Sequence, residues 1–250
     1  MASVDHNAMA ASYDAGRAVS LAALEPWRSA LEPYLSAERV VFDLGSGTGI
    51  FAEAFARWFG VRVVGVEPSA GMRARAVHER THPLVLYVGG TAERLPLKRG
   101  AGRVAWLSTV IHHFSDLQGC AREVGHVLGP DGVVLIRSAF ADRLDRIRLF
   151  RYFPEARKVA ETFPTVRTTI DSFAAVGFAR LALHRVAQES APSLRDYAAR
   201  VRTRADSTLA AITDAEFSAG LRRLDFDAAR EYEPSPVVDG LDLLVLTQRG

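Results

Sequence analysis

The chain has 250 residues, 48% of them hydrophobic and 24% charged, with a formal net charge of +2. That composition supports a large buried core and excludes a disordered chain. A charge balance this close to zero gives no global pull toward nucleic acid or an anionic membrane, and a single cysteine, Cys120, excludes an intramolecular disulfide.

The chain opens Met1-Ala2-Ser3-Val4-Asp5-His6, with neither a basic leader nor an apolar stretch behind it. No later apolar run approaches the roughly 20 residues that span a bilayer, so a cytoplasmic protein is expected. Val40 to Leu44 is a short apolar run stopped by glycines, which predicts a buried parallel strand. Phe51, Ala54, Phe55 and Trp58 then recur at helical spacing, with Gly60 as the stop. Val61 to Val66 predicts a second strand ending at Glu67, and Ser69 can cap the helix that follows. Leu84 to Val88 and Val104 to Ser108 predict two further strands. Leu117, Cys120, Ala121 and Val124 share one helical face, so Cys120 reads as core rather than nucleophile. Val133 to Ile136 predicts a fifth strand after a Gly-Pro-Asp-Gly turn.

The second half is less regular. Residues 139 to 168 are aromatic and basic, and Thr169 to Ala175 reads as a short helix ended by Gly177. Leu181 to Val186 and Leu241 to Leu246 predict the last strands. Between them Leu194, Tyr197, Ala198 and Val201 form an amphipathic face, and Thr213 with Glu216 forms a capping box. Strand–helix alternation with short connections predicts an α/β fold with a doubly wound, Rossmann-like sheet. One domain is expected over 1–250. Its parts are an N-terminal helical cap (1–37), a core (38–138), a segment facing the substrate (139–180) and a helical insertion (190–235).

The chemistry concentrates in Asp43-Leu44-Gly45-Ser46-Gly47-Thr48-Gly49, between a strand and a helix. Glycines there permit a tight turn and let a ligand approach the backbone, at the strand ends where open α/β sheets bind ligands. The pattern is GxGxG, and Ile50 stands where a dinucleotide fingerprint has its third glycine. Glu67, ending the next strand, is placed to accept hydrogen bonds from ribose hydroxyls.

Val41 to Gly49 resembles the first motif of class I S-adenosylmethionine-dependent methyltransferases. Val63 to Met72 is similar to their second motif, Gly90 to Leu97 to the next, and Trp106 to Phe114 to the fourth-strand motif of the small-molecule members. The likeness runs in the family's order from residue 38 to residue 138. It implies a seven-stranded, mostly parallel sheet with helical insertions, and S-adenosyl-L-methionine as cofactor. It further implies that Asp43, Gly45, Ser46, Gly47 and Ser108 line the cofactor cleft. Glu67 and Pro68 would lie at the ribose and Met72 on adenine, with Thr91, Ala92 and Glu93 beside the ring. Thr91 departs from the family's usual aspartate, which shifts adenine recognition toward the backbone near Ala92 and toward Glu93. The stretch Ala11 to Arg17 is similar to a segment that folds over the cofactor, so Tyr13 and Arg17 are candidate contacts to its carboxylate.

A sulfonium is already a strong electrophile, so the protein mainly has to align the nucleophile; an oxygen or carbon nucleophile also needs a base. His112 and His113 are the candidate bases, or else they hydrogen-bond the backbone beside the cleft. The cationic run from Arg137 to Lys158 is either a solvated face or a match for an anionic acceptor. No His, Cys and Asp cluster has metal-ligand spacing. The expected reaction is methyl transfer to a small-molecule acceptor, not to nucleic acid, with no membrane partner. Alternatives are a cyclase or binding role that keeps the cofactor, and a nicotinamide-dependent oxidoreductase on the same fold.

Overall fold

The structure is a computed structural model that describes residues 22–248. Helix α1 (Glu25–Leu31) leads into β1 (Val40–Leu44), α2 (Ile50–Phe59), β2 (Arg62–Val66), α3 (Ala70–Glu79), β3 (Val85–Val88), β4 (Gly102–Ser108), α4 (Leu117–Val127) and β5 (Leu128–Ser138). Local chemistry sets these bounds. α2 ends at Gly60, whose φ of 64° closes the helix in the left-handed region. α3 begins at Ser69, whose side chain accepts from the Met72 amide at 3.2 Å. The Gly129-Pro130-Asp131-Gly132 turn sits inside β5 rather than before it. Asp131 takes φ 60°, and the pairing jumps from Gly102↔Leu128 to Val104↔Val133.

The second half supplies α5 (Leu149–Tyr152), α6 (Pro154–Ala160), α7 (Val166–Ala174), β6 (Phe178–Ala191), α8 (Leu194–Val201), α9 (Ser207–Ala210), α10 (Asp214–Ala228) and β7 (Val237–Gln248). Capping boxes at Thr165/Thr168 and Thr213/Glu216 start α7 and α10. β6 and β7 outrun their apolar cores because they pair with each other from Phe178↔Gln248 to Ala191↔Val237, beyond the width of the sheet.

The seven strands lie in the order β3-β2-β1-β4-β5-β7-β6. β1 to β5 pair in parallel, while β7 runs antiparallel to both β5 and β6. Side chains alternate across the sheet. Phe42, Leu44, Ala105 and Leu107 pack toward α4 and α7, and Val41, Val63, Val104 and Trp106 toward α1 and α2. A third cluster, including Phe153, Tyr197 and Leu224, joins α5, α6, α8 and α10. That cluster builds a helical roof over the carboxyl ends of β4 and β5. Among the described residues no helix is long and apolar enough to cross a membrane.

Candidate functional site

The site begins where β1 ends. Gly45, Gly47 and Gly49 take φ of 73°, 55° and 83°, so alternate residues sit in the left-handed region. A Cβ at Gly45 would come 2.7 Å from Val110 Cγ1, and one at Gly49 would collide with the Tyr87 hydroxyl. The loop is pinned to the neighbouring strand. The amides of Gly45 and Ser46 donate to the Val66 carbonyl at 2.8 and 3.2 Å.

Two carboxylates meet at this bend. Glu67 is buried; its Oε2 accepts from the Gly47 amide at 3.0 Å and its Oε1 from the Ser69 amide at 2.9 Å. The acid therefore ties the glycine loop to the start of α3, and each oxygen keeps a lone pair for a further donor. Asp43 is 2% exposed, and its Oδ2 has no hydrogen-bond partner. Burial, reinforced by the charge of Glu67 and opposed by the Ala52 amide, pushes the Asp43 carboxyl up to about 8.

Beyond the loop lies a cavity of about 240 Å³ that Asp43, Gly45, Ser46, Gly47, Ser108 and His112 all line. Its inner wall carries Arg137, 8% exposed. The guanidinium donates to Ser108 Oγ at 3.1 Å and to Gln188 Oε1 at 2.7 Å, and lies 4.9 and 5.5 Å from the Trp27 and Phe51 ring centroids. Trp27 Nε1 donates to the same Gln188 oxygen at 2.8 Å. These contacts stack a buried cation on aromatic faces beside the end of β4. His112 lies parallel to Phe163, ring centroids 4.1 Å apart at 14°, and its Nε2 is 3.3 Å from Ser207 Oγ at the start of α9.

Residues 42–136 match the family model described as a methyltransferase domain. Over those residues the chain is similar to the class I S-adenosylmethionine-dependent methyltransferases. Among curated proteins, the uncharacterized methyltransferase YcgJ of Bacillus subtilis is 33% identical over 108 residues. The chain spans 42% of that relative's length, and the match takes in 42% of the chain. The crystal structure of YcgJ superimposes with a TM-score of 0.60 at 20% identity, covering 92% of this chain and all of YcgJ (100%). A structure from Anabaena variabilis, described as a methyltransferase from an antibiotic biosynthesis pathway, reaches a TM-score of 0.74 at 23% identity. It covers 94% of this chain and 99% of its own. At those identities the superpositions speak for the fold.

The glycine loop brings Asp43, Gly45, Ser46, Gly47 and Glu67 together, with Ser108 across the cavity. Met72 is buried on α3, Pro68 is exposed, and none of Glu67, Pro68 and Met72 faces the cavity. Thr91 is exposed in a short bridge to Arg94, and Ala92 is buried. Glu93 is partly buried and accepts from the Ser115 amide at 3.2 Å, which ties the third motif to the loop after His113. The two imidazoles touch, ring centroids 4.0 Å apart, but His112 lines the cavity whereas His113 is exposed and does not. Tyr13 and Arg17 lie outside the described residues.

Most of the cationic run is matched by carboxylates. Arg143 and Arg185 converge on buried Asp242, at 2.8 and 3.2 Å, Arg157 meets Glu161 at 3.1 Å, and Arg151 meets Asp227 at 3.6 Å. Arg137 alone of that run lines the cavity. Cys120 is fully buried, and burial pushes its thiol well up. Among the described residues no group of three or more His, Cys, Asp or Glu is gathered as a metal site. Sequence reasoning missed Trp27, Phe51, Gln188 and Tyr197 as site residues. The one available signal was period two: Arg137 follows Leu135 on the face that Trp106 shares.

Proposed function

We propose that this chain binds S-adenosyl-L-methionine at the glycine loop and directs its methyl group to a small-molecule metabolite, at an oxygen, nitrogen or carbon atom. The observation that carries the reading is the loop itself. Its left-handed glycines leave a cradle that a side chain would fill, with Glu67 at one end and the unpartnered Asp43 oxygen at the other. The bound cofactor would supply an electrophilic methyl on a positively charged sulfur. Glu67 would take the ribose hydroxyls on its remaining lone pairs, with Pro68 alongside, and Met72, Thr91, Ala92 and Glu93 would flank adenine. Gly45, Ser46 and Gly47 would face the methionine part, with Asp43 accepting from its ammonium and Ser108 at the cavity side. Tyr13 and Arg17 would approach its carboxylate from the N-terminal segment.

The chain's own chemistry is then placement and proton handling. Arg137, backed by Trp27, and Phe51 would limit water along the transfer line, and the cavity would hold the nucleophile near attack distance. His112 is the base of this reading, because it is the histidine at the cavity; where the nucleophile is a hydroxyl or an acidic carbon, its imidazole takes the proton. The reading includes one domain spanning 1–250, a cytoplasmic setting, an acceptor that carries an anionic group, and no nucleic-acid partner.

Calorimetric titration with S-adenosylhomocysteine tests the pocket. Wild type should bind it, and Glu67→Ala should weaken binding at least tenfold, since two charge-assisted hydrogen bonds are removed. Equal affinity in the two proteins would remove the ribose assignment. Incubation with methyl-labelled cofactor and a metabolite extract tests transfer; binding without any labelled product would favour a non-methylating role.

A further inference from the structure

Resting on the methyl-transfer reading, we infer that the acceptor is a small, largely apolar carboxylate whose carboxyl group is held by the Tyr197 hydroxyl and the Arg200 guanidinium. Both residues belong to the excursion between β6 and β7, not to the cofactor half.

The two side chains sit three residues apart on α8, and so on one helical face, and both line the cavity that Gly45 and Ser46 enter from below. The helix is fixed at its start: Ser193 caps it by accepting from the Asp196 amide at 3.0 Å. Arg200 donates to the Ser190 carbonyl at 2.5 Å, which anchors the guanidinium at the wall. Tyr197 is 4% exposed as a residue and lines the cavity, so the small surface it keeps can present its hydroxyl to a bound molecule. Burial first, and the charge of Asp239 next, hold the phenol protonated, so it presents a donor at all working pH.

Two of the three acids that line the chamber are engaged by the protein, and the third, Asp43, holds its proton below about pH 8. Asp239 accepts from the Arg148 amide at 2.6 Å and from the Ser190 hydroxyl, and Asp206 accepts from the Thr208 amide at 2.8 Å and its hydroxyl at 2.6 Å. The polar end is therefore rich in donors, which suits a group that only accepts. A carboxylate brings one negative charge; a phosphate dianion would bring a second into a chamber already holding Asp206 and Asp239. Leu149, Phe150, Leu209 and the Phe163–His112 stack supply an apolar or flat side, facing a polar side that includes Arg137, Gln188 and Ser207. About 240 Å³, shared with the cofactor's methyl end, falls below the ~300–1,000 Å³ of drug-sized pockets, which bounds the acceptor's size.

The test uses the full chain saturated with S-adenosylhomocysteine and three probes, benzoate, benzylamine and inorganic phosphate, followed by ligand-observed NMR. Benzoate is expected to bind, and benzylamine and phosphate are not. Tyr197→Phe keeps the ring and should weaken benzoate by about tenfold or more while leaving S-adenosylhomocysteine affinity unchanged. Arg200→Gln should do the same and covers the case in which the first variant folds poorly. Benzylamine or phosphate binding in preference, no benzoate binding to the loaded protein, or equal benzoate affinity in wild type and a folded Tyr197→Phe protein would each overturn the inference. Failure to bind S-adenosylhomocysteine at all would instead strike the cofactor reading.

Discussion

Replacing Asp43 by Asn should remove a pH dependence that the wild-type fold carries. Burial beside Glu67 raises the Asp43 carboxyl from 3.8 to about 8, so the folded chain holds a proton that the unfolded chain releases. The stabilisation from that proton is complete below pH 3.8 and is lost as pH rises through about 8. At about 1.36 kcal/mol per unit, the wild type forfeits roughly 2 kcal/mol between about pH 6 and 8. The Asp43→Asn side chain cannot ionise and forfeits none of it. For a chain of this size the difference is roughly 4–8 °C in Tm. Thermal melts of both proteins at intervals from about pH 6 to 8, without cofactor, read the difference directly; every other titrating group is common to both. The wild-type Tm should fall relative to the variant as pH rises. Glu67→Gln, by removing the second cause of the shift, should move the wild-type fall to lower pH. Parallel melting curves for wild type and Asp43→Asn would refute the account of a protonated acid at the bend.

Three further substitutions probe separate parts of the molecule. Gly45→Ala forces a Cβ into a φ of 73° and to 2.7 Å from Val110 Cγ1. It should cost about 1–2 kcal/mol in urea unfolding and abolish S-adenosylhomocysteine binding; retained binding would mean the loop is not the cradle. His112→Ala should slow methyl transfer by roughly 10²-fold or more with cofactor affinity unchanged, whereas His113→Ala, outside the cavity, should leave turnover within about twofold; equal losses would remove the distinction. Asp242→Asn leaves Arg143 and Arg185 facing each other around a neutral amide, at a position 1% exposed. Both guanidiniums reach some solvent, so the loss in urea unfolding should be about 2 kcal/mol, below the ~3–5 kcal/mol for a fully buried pair; a change under about 0.5 kcal/mol would show the cluster to be structurally idle.

What the sequence revealed follows the physics of each part. β1, the turn glycines, Glu67 and the Ser69 cap lie within one short stretch, and each is dictated by local backbone conformation, so residue type at fixed spacing discloses them. The capping box at Thr213 and Glu216 was legible for the same reason. Strand limits were not: β6 and β7 extend far past their apolar runs because cross-strand pairing continues where burial stops. The Gly-Pro-Asp-Gly turn was visible, but its absorption into β5 depends on a register shift against Gly102 that no local signal encodes. Arg137 could not be told from its cationic neighbours, since what separates it is the company of Trp27, Phe51 and Gln188, far away in the chain.

That contrast explains how the site is divided. On the proposed reading the cofactor half would be made of main-chain amides, left-handed glycines and one acid that clamps them, a construction that tolerates few residue types and therefore leaves a sequence pattern. The proposed acceptor half would be made of side chains that β4, β5, β6 and the excursion bring to one chamber, and the only demand on each is to face inward. Its lining can change without disturbing the loop: Tyr197 and Arg200 are held by the Ser193 cap and the Ser190 carbonyl, neither of which touches Glu67 or Gly47. Exchanging α8 for the corresponding helix of another member should accordingly transfer acceptor preference while leaving S-adenosylhomocysteine affinity within about threefold, roughly 0.6 kcal/mol. If cofactor affinity instead fell with the exchange, the two halves would be energetically coupled through the His112–Ser207 contact, the hydrogen-bonding pair that joins the fourth-strand motif to the excursion.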